Sequence, residues 1–266
     1  MTVAATEIKS RCAAAYSSAA ARFLLDDSFH PGGRELTSRL IRRLGVGTGS
    51  AVVDVASGLG TSALLLAREL GCDVLGVELS PTSVAAAADA AATAGLTGQV
   101  RFLVGDAEAL PLEDSCMDGA LCECALCTFP DKEAAAAELA RVLRPGARLL
   151  LADIVAEPER LPGQLRSLTA WVACVADARP VVELGGLLER AGFAIEQVER
   201  HDGALARLLD VVEGRLRAAA LAWPDVFGDG VDHGRELVRA SQEALRNGDL
   251  GYASILARRN RMEADR

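Results

Sequence analysis

One stretch in the first quarter of the chain constrains the fold more than any other. Ala51–Val55 is an apolar run with β-branched residues and an acid, and residues 56–63 follow it as a turn of small residues. Residues 64–70 then place their leucines at helical spacing. A buried strand, a tight turn and a helix are predicted in that order. The glycines of the turn either serve its geometry alone or let the backbone approach a bound ligand.

The same alternation of apolar runs and helical segments continues along the chain. Strands are expected over residues 72–79, 100–104, 119–123 and 148–152, with helices between them. Strands that alternate with helices indicate parallel pairing and a doubly wound α/β sheet, in which ligands bind beyond the carboxyl ends of the strands. Four acids at or just beyond predicted strand ends indicate a shared crevice there: Asp54, Glu78, Asp106 and Asp153.

Helices are expected before and after this segment of alternating strands and helices. Residues 4–28 and 34–44 predict an N-terminal helical cap, and His30 in the turn between them either faces solvent or approaches a substrate. The helices expected beyond Asp153 cover residues 161–177, 180–191, 204–222 and 232–246. Strands near 194–198 and 250–257 complete the sheet. The expected fold is a doubly wound, mostly parallel seven-stranded sheet with an N-terminal helical cap and a C-terminal helical insertion.

The composition excludes several classes of protein. The 266 residues are 50% hydrophobic and 24% charged, which is typical of a globular core. A formal net charge of −9 repels phosphate backbones, so neither nucleic acid nor a membrane is expected as a partner. Without a signal-peptide centre or a membrane-spanning run, we expect a cytoplasmic protein. The cysteines, 7 in number and without framework spacing, indicate free thiols.

The turn after the first strand is compatible with two kinds of nucleotide-like ligand. Gly58, Gly60 and Ala63 satisfy the dinucleotide fingerprint, and Glu78 lies where a ribose-binding acid is expected, so a nicotinamide-dependent dehydrogenase is one hypothesis. Asp54, however, precedes the turn, where a carboxylate suits an ammonium or a sulfonium better than a pyrophosphate. This position favours a ligand with a positive charge.

Successive motifs of the chain resemble those of class I S-adenosylmethionine-dependent methyltransferases. The motifs are Asp54-x-Ala56-x-Gly58-x-Gly60, then Glu78, then Gly-Asp-Ala-Glu-Ala-Leu-Pro over residues 105–111, and Leu-Arg-Pro-Gly over residues 143–146. The resemblance covers residues 45–155 and implies a Rossmann-like methyltransferase fold with S-adenosyl-L-methionine as the cofactor. It also implies that the partner is a small-molecule substrate. No oligomeric state follows from it.

The resemblance assigns the cofactor contacts residue by residue. Gly58 and Gly60 would approach the methionine portion, and Glu78 would bind the ribose hydroxyls. Asp106 and Ala107 would hold the adenine. The full set of positions implied for cofactor binding is Asp54, Ala56, Gly58, Leu59, Gly60, Glu78, Leu79, Asp106, Ala107 and Glu123. Ala56 departs from the family, which usually has glycine there, and we expect a small local adjustment.

A single domain over residues 1–266 is predicted from these features. Residues 1–48 would form the helical cap, residues 49–155 the cofactor-binding core, and residues 156–266 the substrate-side helices and closing strands.

Two cysteines carry a narrower resemblance, to arsenite methyltransferases. Cys124 precedes a Pro-Asp-Lys sequence as in that family, and Cys174 lies where the family has another metalloid-binding cysteine. The resemblance implies that these two thiols hold the substrate, since thiolates are soft ligands that suit trivalent arsenic. The ubiquinone and menaquinone C-methyltransferases share the cofactor motifs without these thiols.

Other interpretations of the cysteines stay open at this point. Cysteine is a common small core residue, so the thiols either line a site or fill the core. Cys122, Cys124 and Cys127 offer three zinc ligands without an evident fourth, and we predict no metal site. Cys12 is the one thiol of the N-terminal region.

The expected activity is methyl transfer from S-adenosylmethionine to a small acceptor, with a metalloid held by Cys124 and Cys174 as one hypothesis. The alternative is C-, O- or N-methylation of a small metabolite, for which Glu123, His30 and His201 are candidate bases. A non-catalytic metalloid-binding or regulatory protein on the same fold is the alternative from another class.

Overall fold

The computed structural model describes residues 5–25, 30–167, 174–222 and 224–261. Its centre is a 7-stranded sheet in the order β3-β2-β1-β4-β5-β7-β6. The strands are β1 (Ala51–Val55), β2 (Asp73–Glu78), β3 (Val100–Val104), β4 (Met117–Glu123), β5 (Leu143–Ala156), β6 (Phe193–Arg200) and β7 (Leu250–Arg259). Strand β7 runs antiparallel to β5 and β6, and the other pairs are parallel. The predicted fold class is confirmed.

Helices precede the sheet, cover its faces and are inserted before the last strand. They are α1 (Ala5–Tyr16), α2 (Ala19–Leu25), α3 (Gly33–Ile41), α4 (Thr61–Leu70), α5 (Pro81–Thr93), α6 (Lys132–Val142), α7 (Val181–Arg190), α8 (Asp202–Ala222) and α9 (Pro224–Arg246). Short 3-10 turns cover residues 42–44, 126–128 and 163–166. Among the described helices, none combines the length and the apolar character that crossing a bilayer requires.

The core lies on both faces of the sheet, as a doubly wound fold requires. Successive strand residues point to opposite faces, so Val52 packs in the buried cluster of Leu40 and Leu66. Its neighbour Val53 packs in the other cluster, with Leu139. Because both faces of β1 are buried, its sequence is a continuous apolar run, interrupted only by Asp54.

The helix predicted over residues 4–28 is wrong as a single element. It is broken into α1 and α2 at Ser17 and Ser18, whose hydroxyls donate to the carbonyls of Ala13 and Ala15. The Ser18 hydroxyl then accepts the Ala21 N–H and caps α2. Serine hydroxyls compete for backbone groups in this way and interrupt an alanine-rich helix. Residues 4 and 26–28 of that prediction lie outside the described residues.

Three predicted boundaries beyond residue 140 also differ from the structure. The helix expected over 161–177 is a 3-10 turn at Gly163–Arg166, extended backbone at Ser167 and turns over residues 174–177; residues 168–173 lie outside the described residues. Strand β5 extends beyond residue 152 because it pairs with β7 from Arg148 to Ala156, so Asp153 lies inside the strand. Helix α9 begins at Pro224 rather than at residue 232.

Gly76 in β2 offers a test of how tightly the sheet packs beneath the first turn. A Cβ atom at this position would collide with the Phe102 ring and lie 2.7 Å from the Ser57 hydroxyl. Gly76→Ala is expected to lower the free energy of unfolding by about 1–3 kcal/mol, since a packed core cannot absorb the methyl group. Urea denaturation measures this, with Gly98→Ala as control because nothing lies within 4 Å of its added Cβ. Equal losses in both variants would contradict the prediction.

Candidate active site

An open cleft of about 1040 Å³ lies at the carboxyl ends of β1, β2 and β4. This is the edge of the sheet at which the strand-terminal acids predicted a crevice. The predicted site residues that line it are Asp54, Ala56, Gly58, Leu59, Glu78, Leu79, Asp106, Ala107, Glu123 and Cys124. Gly60 and Cys174 do not line the cleft. Gly60 is the residue before α4, and Cys174 lies behind Cys124.

The turn between β1 and α4 is held in left-handed conformations. The φ angles are 58° at Ala56, 54° at Gly58 and 80° at Gly60. The position of Ala56 therefore suits glycine, which explains the family's preference, and alanine adopts the conformation at a cost of about 1–2 kcal/mol. The Glu78 carboxylate accepts the N–H of Gly58 at 3.1 Å and that of Ser80 at 2.8 Å. Glu78 thereby ties the turn to the end of β2.

The floor of the cleft carries polar atoms that lack partners. The Asp54 Oδ2 and Ser57 Oγ atoms are buried and have no hydrogen-bond partner among the described residues. Burial raises the pKa of Asp54 well above its usual value, and the nearby carboxylates of Glu123 and Glu78 add to the effect. A ligand that brings a cationic donor to this floor would satisfy both acceptors and lower that pKa.

Glu123 lies at the end of β4 within a polar network. Its carboxylate accepts the Ser62 hydroxyl at 2.6 Å and the Thr37 hydroxyl at 3.0 Å, and His30 Nε2 lies 3.7 Å from one of its oxygens. His30 is 6% exposed and lines the cleft, so it does not face bulk solvent; its approach to a substrate stays a prediction. His201 does not line the cleft, and its Nε2 lies 2.8 Å from the Ser254 hydroxyl.

Three thiols converge at one end of the cleft. Cys124 lines the cleft, and the side chains of Cys127 and Cys174 hydrogen-bond with it from the protein interior. The Tyr16 hydroxyl lies 3.0 Å from the Cys174 sulfur. Cys124 and Cys174 also share a left-handed backbone, with φ angles of 52° and 65°. Such strained non-glycine conformations cluster at functional sites.

The thiols differ in their protonation. Hydrogen bonds from Cys124 and Cys127, and a further one from Tyr16, hold the pKa of Cys174 well below its ordinary value despite its burial. Burial and hydrogen bonds to the other two thiols raise the pKa of Cys127. The pKa shifts therefore make Cys174 the most acidic thiol of the cluster. In the described part of the chain, no group of three or more His, Cys, Asp or Glu side chains is arranged as a metal-ion site.

Asp153 lies directly beneath the thiols. It is 1% exposed, and it accepts the Cys127 N–H at 2.9 Å through one oxygen and the Ile154 N–H at 2.7 Å through the other. Burial, together with the charge of Cys174, raises the pKa of Asp153 to about 7. It positions the Cys127 backbone and does not reach the cleft.

The N-terminal cap forms one wall of the cleft, which the sequence did not predict. Lys9, Cys12, Ala13 and Tyr16 line it from α1. Their i, i+3, i+4 and i+7 spacing on one helix face is the signal that could have found them. The Lys9 ammonium lies 2.6 Å from a carboxylate oxygen of Asp106, so the predicted adenine-binding acid is paired with the cap.

The low pKa of Cys174 is open to direct test. Thiolates absorb in the far ultraviolet, and we expect such absorbance to persist in the folded protein below the pH range of an ordinary thiol. Cys174→Ser is expected to remove it. Cys72→Ser is the matched control, because burial raises the pKa of that thiol to about 11. Equal titration curves for the protein and for Cys174→Ser would show that Cys174 is protonated.

Comparison with known proteins connects this cleft with a family. A family model described as a methyltransferase domain matches residues 53–151. The chain is 31% identical over 216 residues to Methyltransferase GfsG of Streptomyces halstedii, covering 76% of this chain and 77% of that protein. It is 31% identical over 230 residues to O-methyltransferase cnsE of Penicillium expansum, covering 85% and 78% of the two chains.

Two further proteins with named activities are similar to this chain. An arsenite methyltransferase of Halobacterium salinarum is 31% identical over 159 residues, which is 58% of this chain and 40% of that protein. Among solved structures, the (4+2)-cyclase SpnF superposes with a TM-score of 0.72 at 27% identity, covering 85% of this chain and 80% of that one. The similarities thus extend well beyond the residues that line the cleft, while the named activities differ.

Proposed function

This chain belongs to the class I S-adenosylmethionine-dependent methyltransferases, and from that premise we propose how its cleft holds the cofactor and which acceptor it serves. The chain is an enzyme that methylates a small molecule with S-adenosylmethionine as its cofactor. Membership in this family sets aside the nicotinamide-dependent dehydrogenase and the non-catalytic alternative. The individual contacts and the identity of the acceptor are our proposals.

The polar atoms of the cleft fit this cofactor. The unpartnered acceptors on Asp54 and Ser57 suit its ammonium group, and the Glu78 carboxylate suits the ribose hydroxyls. Asp106 and Ala107 would contact the adenine, with the Asp106 carboxylate shared between that base and Lys9. The remaining contacts are assigned to Ala56, Gly58, Leu59, Gly60, Leu79 and Glu123.

When bound, the cofactor supplies a methyl group that its positively charged sulfur makes electrophilic. The chain's own contribution is to orient the acceptor and to exclude water. Tyr16, Cys124, Thr128 and Phe129 surround the end of the cleft beyond Asp54 and Glu123, and this is where we place the acceptor.

We infer that the acceptor atom is a soft, trivalent metalloid bound by Cys124 and Cys174. The observation that carries this inference is that the two thiols lie together in strained backbone conformations, with Cys124 at the wall of the cleft and Cys174 directly behind it. The lowered pKa of Cys174 favours its thiolate form, and thiolates are preferred ligands for soft centres. A trivalent metalloid keeps a lone pair, so its methylation requires no general base.

O-, N- or C-methylation of a small metabolite is the second candidate. It is favoured by the relatives GfsG and cnsE, which this chain matches over more than three quarters of their length. The structure also offers a base for such acceptors, since His30 and Glu123 lie side by side at the cleft. His30 would then take the acceptor's proton, with Glu123 stabilising the imidazolium that forms.

Glu78 tests the proposed cofactor site. Glu78→Gln is expected to weaken the binding of S-adenosylmethionine about 10–100-fold, because hydrogen bonds to a charged group contribute about 1.5–3 kcal/mol. Isothermal titration calorimetry measures the dissociation constant. Glu133→Gln serves as control, because the Glu133 side chain is 74% exposed on α6. An unchanged dissociation constant for Glu78→Gln would remove Glu78 from the cofactor site.

The thiols test the proposed acceptor. We expect the protein to transfer a labelled methyl group from S-adenosylmethionine to arsenite in the presence of glutathione. The double variant Cys124→Ser, Cys174→Ser should lose both this transfer and stoichiometric arsenite binding in equilibrium dialysis, while still binding the cofactor.

The control for this experiment is Cys72→Ser, which removes a buried thiol that lines no part of the cleft. Undiminished methylation of arsenite by the double variant would refute the proposed ligands. Label transfer to hydroxyl, amine or carbon acceptors, with none to arsenite, would establish the second candidate instead.

A further inference from the structure

A second groove opens beside the cofactor cleft, on the side of the N-terminal cap. It lies between α2, α3, α4, α5 and α8, and it meets the cleft at His30, Leu59 and Thr61, which line both. Neither the sequence motifs nor the family comparison assigns it a role. Because the two spaces share a wall, a molecule in this groove would lie next to the proposed site of methyl transfer.

The charge of the groove is opposite to that of the whole protein. Its lining includes the arginines of four different helices, namely Arg22, Arg34, Arg68, Arg207 and Arg215. No Asp or Glu is among the described residues that line it, although the chain carries a formal net charge of −9. A concave surface with one sign of charge concentrates ligands of the other sign.

Four of these arginines have no carboxylate of the described residues at ion-pair distance. Other arginines on the surface do form ion pairs, as Arg144 does with Asp118 and Arg217 with Glu213. Within the described residues, Arg22, Arg34, Arg68 and Arg207 form no ion pair with a carboxylate. Arg34 does interact electrostatically with the Glu69 carboxylate, beyond ion-pair distance. The like charges of the groove repel one another, and an anionic ligand would relieve that repulsion.

The groove is apolar between these charges. Leu64 of α4 and Leu208 and Val211 of α8 are part of its lining, and Val211 is 46% exposed. An inorganic anion alone would leave this surface in contact with water. A molecule with an apolar body and an anionic head would cover it and pair with the guanidinium groups, which match phosphate and carboxylate oxygens in a planar fork.

We propose that this groove binds the part of the methyl acceptor that does not react, and that this part is a small amphiphilic anion. Its phosphate or carboxylate head lies among the arginines, its apolar body lies along Leu64 and Leu208, and its reacting end reaches the cleft past His30 and Leu59. The inference rests on the proposed methyl transfer and, within it, on the second candidate, methylation of a small metabolite, because free arsenite has no apolar body.

The test uses the full chain saturated with S-adenosylhomocysteine, titrated by calorimetry with decyl phosphate or decanoate below their micelle concentrations. We expect saturable binding that weakens with added salt and that falls at least about tenfold in Arg68→Gln, Arg207→Gln, because charge-assisted hydrogen bonds are lost. The control Arg144→Gln, Arg217→Gln removes two exposed, paired arginines away from the groove and should bind as the wild type does. Preference for one probe identifies the head group.

Several results would overturn the inference. One is that decyl phosphate and decanoate bind equally well to Arg68→Gln, Arg207→Gln and to Arg144→Gln, Arg217→Gln. Another is that uncharged decanol binds as well as the two anions. A third is that the protein binds anionic vesicles but not the monomeric anions. A loss of S-adenosylhomocysteine binding in Arg68→Gln, Arg207→Gln would assign the arginines to the cofactor. Failure of the proposed function itself is seen separately, as absence of S-adenosylhomocysteine binding to the wild-type chain.

Discussion

The hydrogen bonds that the Glu78 carboxylate accepts from the N–H groups of Gly58 and Ser80 fix the geometry on which the cleft depends. They join the turn after β1 to the beginning of α5, so that two neighbouring βα connections form one rigid edge. That edge holds Ala56 and Gly60 in left-handed conformations and leaves Asp54 buried below them. A sheet of the same order without this link would still place its strand ends together, but it would not fix the distances between them.

Burial and strain act together at the opposite end of the cleft. Cys124 follows the end of β4 in a left-handed conformation, and its N–H donates to the Ala152 carbonyl of β5 at 2.7 Å. Cys174 reaches the same place from a separate segment, and its sulfur is held by Tyr16 of the cap. Three parts of the chain that are distant in sequence therefore meet at one sulfur cluster. The interpretation of these cysteines as mere core filling does not account for the strained backbone at both positions.

The sequence predicted the parts of this structure that depend on local chemistry. The strand–turn–helix at Asp54 and the acids near successive strand ends can both be deduced from residue types and spacing. The break between α1 and α2 was missed because the many alanines favour a continuous helix. Two serine hydroxyls interrupt that helix by bonding to its backbone carbonyls. The position of α1 against the cleft was also missed, since the pairing of Lys9 with Asp106 joins residues 97 positions apart.

The charges around the cleft affect cofactor binding and the rate of methyl transfer differently. In the proposed binding mode, the carboxylates of Asp54, Glu78 and Glu123 would face a cofactor that is positively charged before the methyl group leaves, so they would stabilise the bound ground state and oppose the loss of that charge. Any acceleration of methyl transfer must therefore come from the residues around the acceptor. These residues can orient the acceptor and increase its nucleophilicity. On the proposed acceptor side lie the Cys174 thiol, the His30 ring and the arginines of the neighbouring groove. Under the proposed function, the acidic half of the site would bind the cofactor, and the cap with its adjoining groove would select the acceptor.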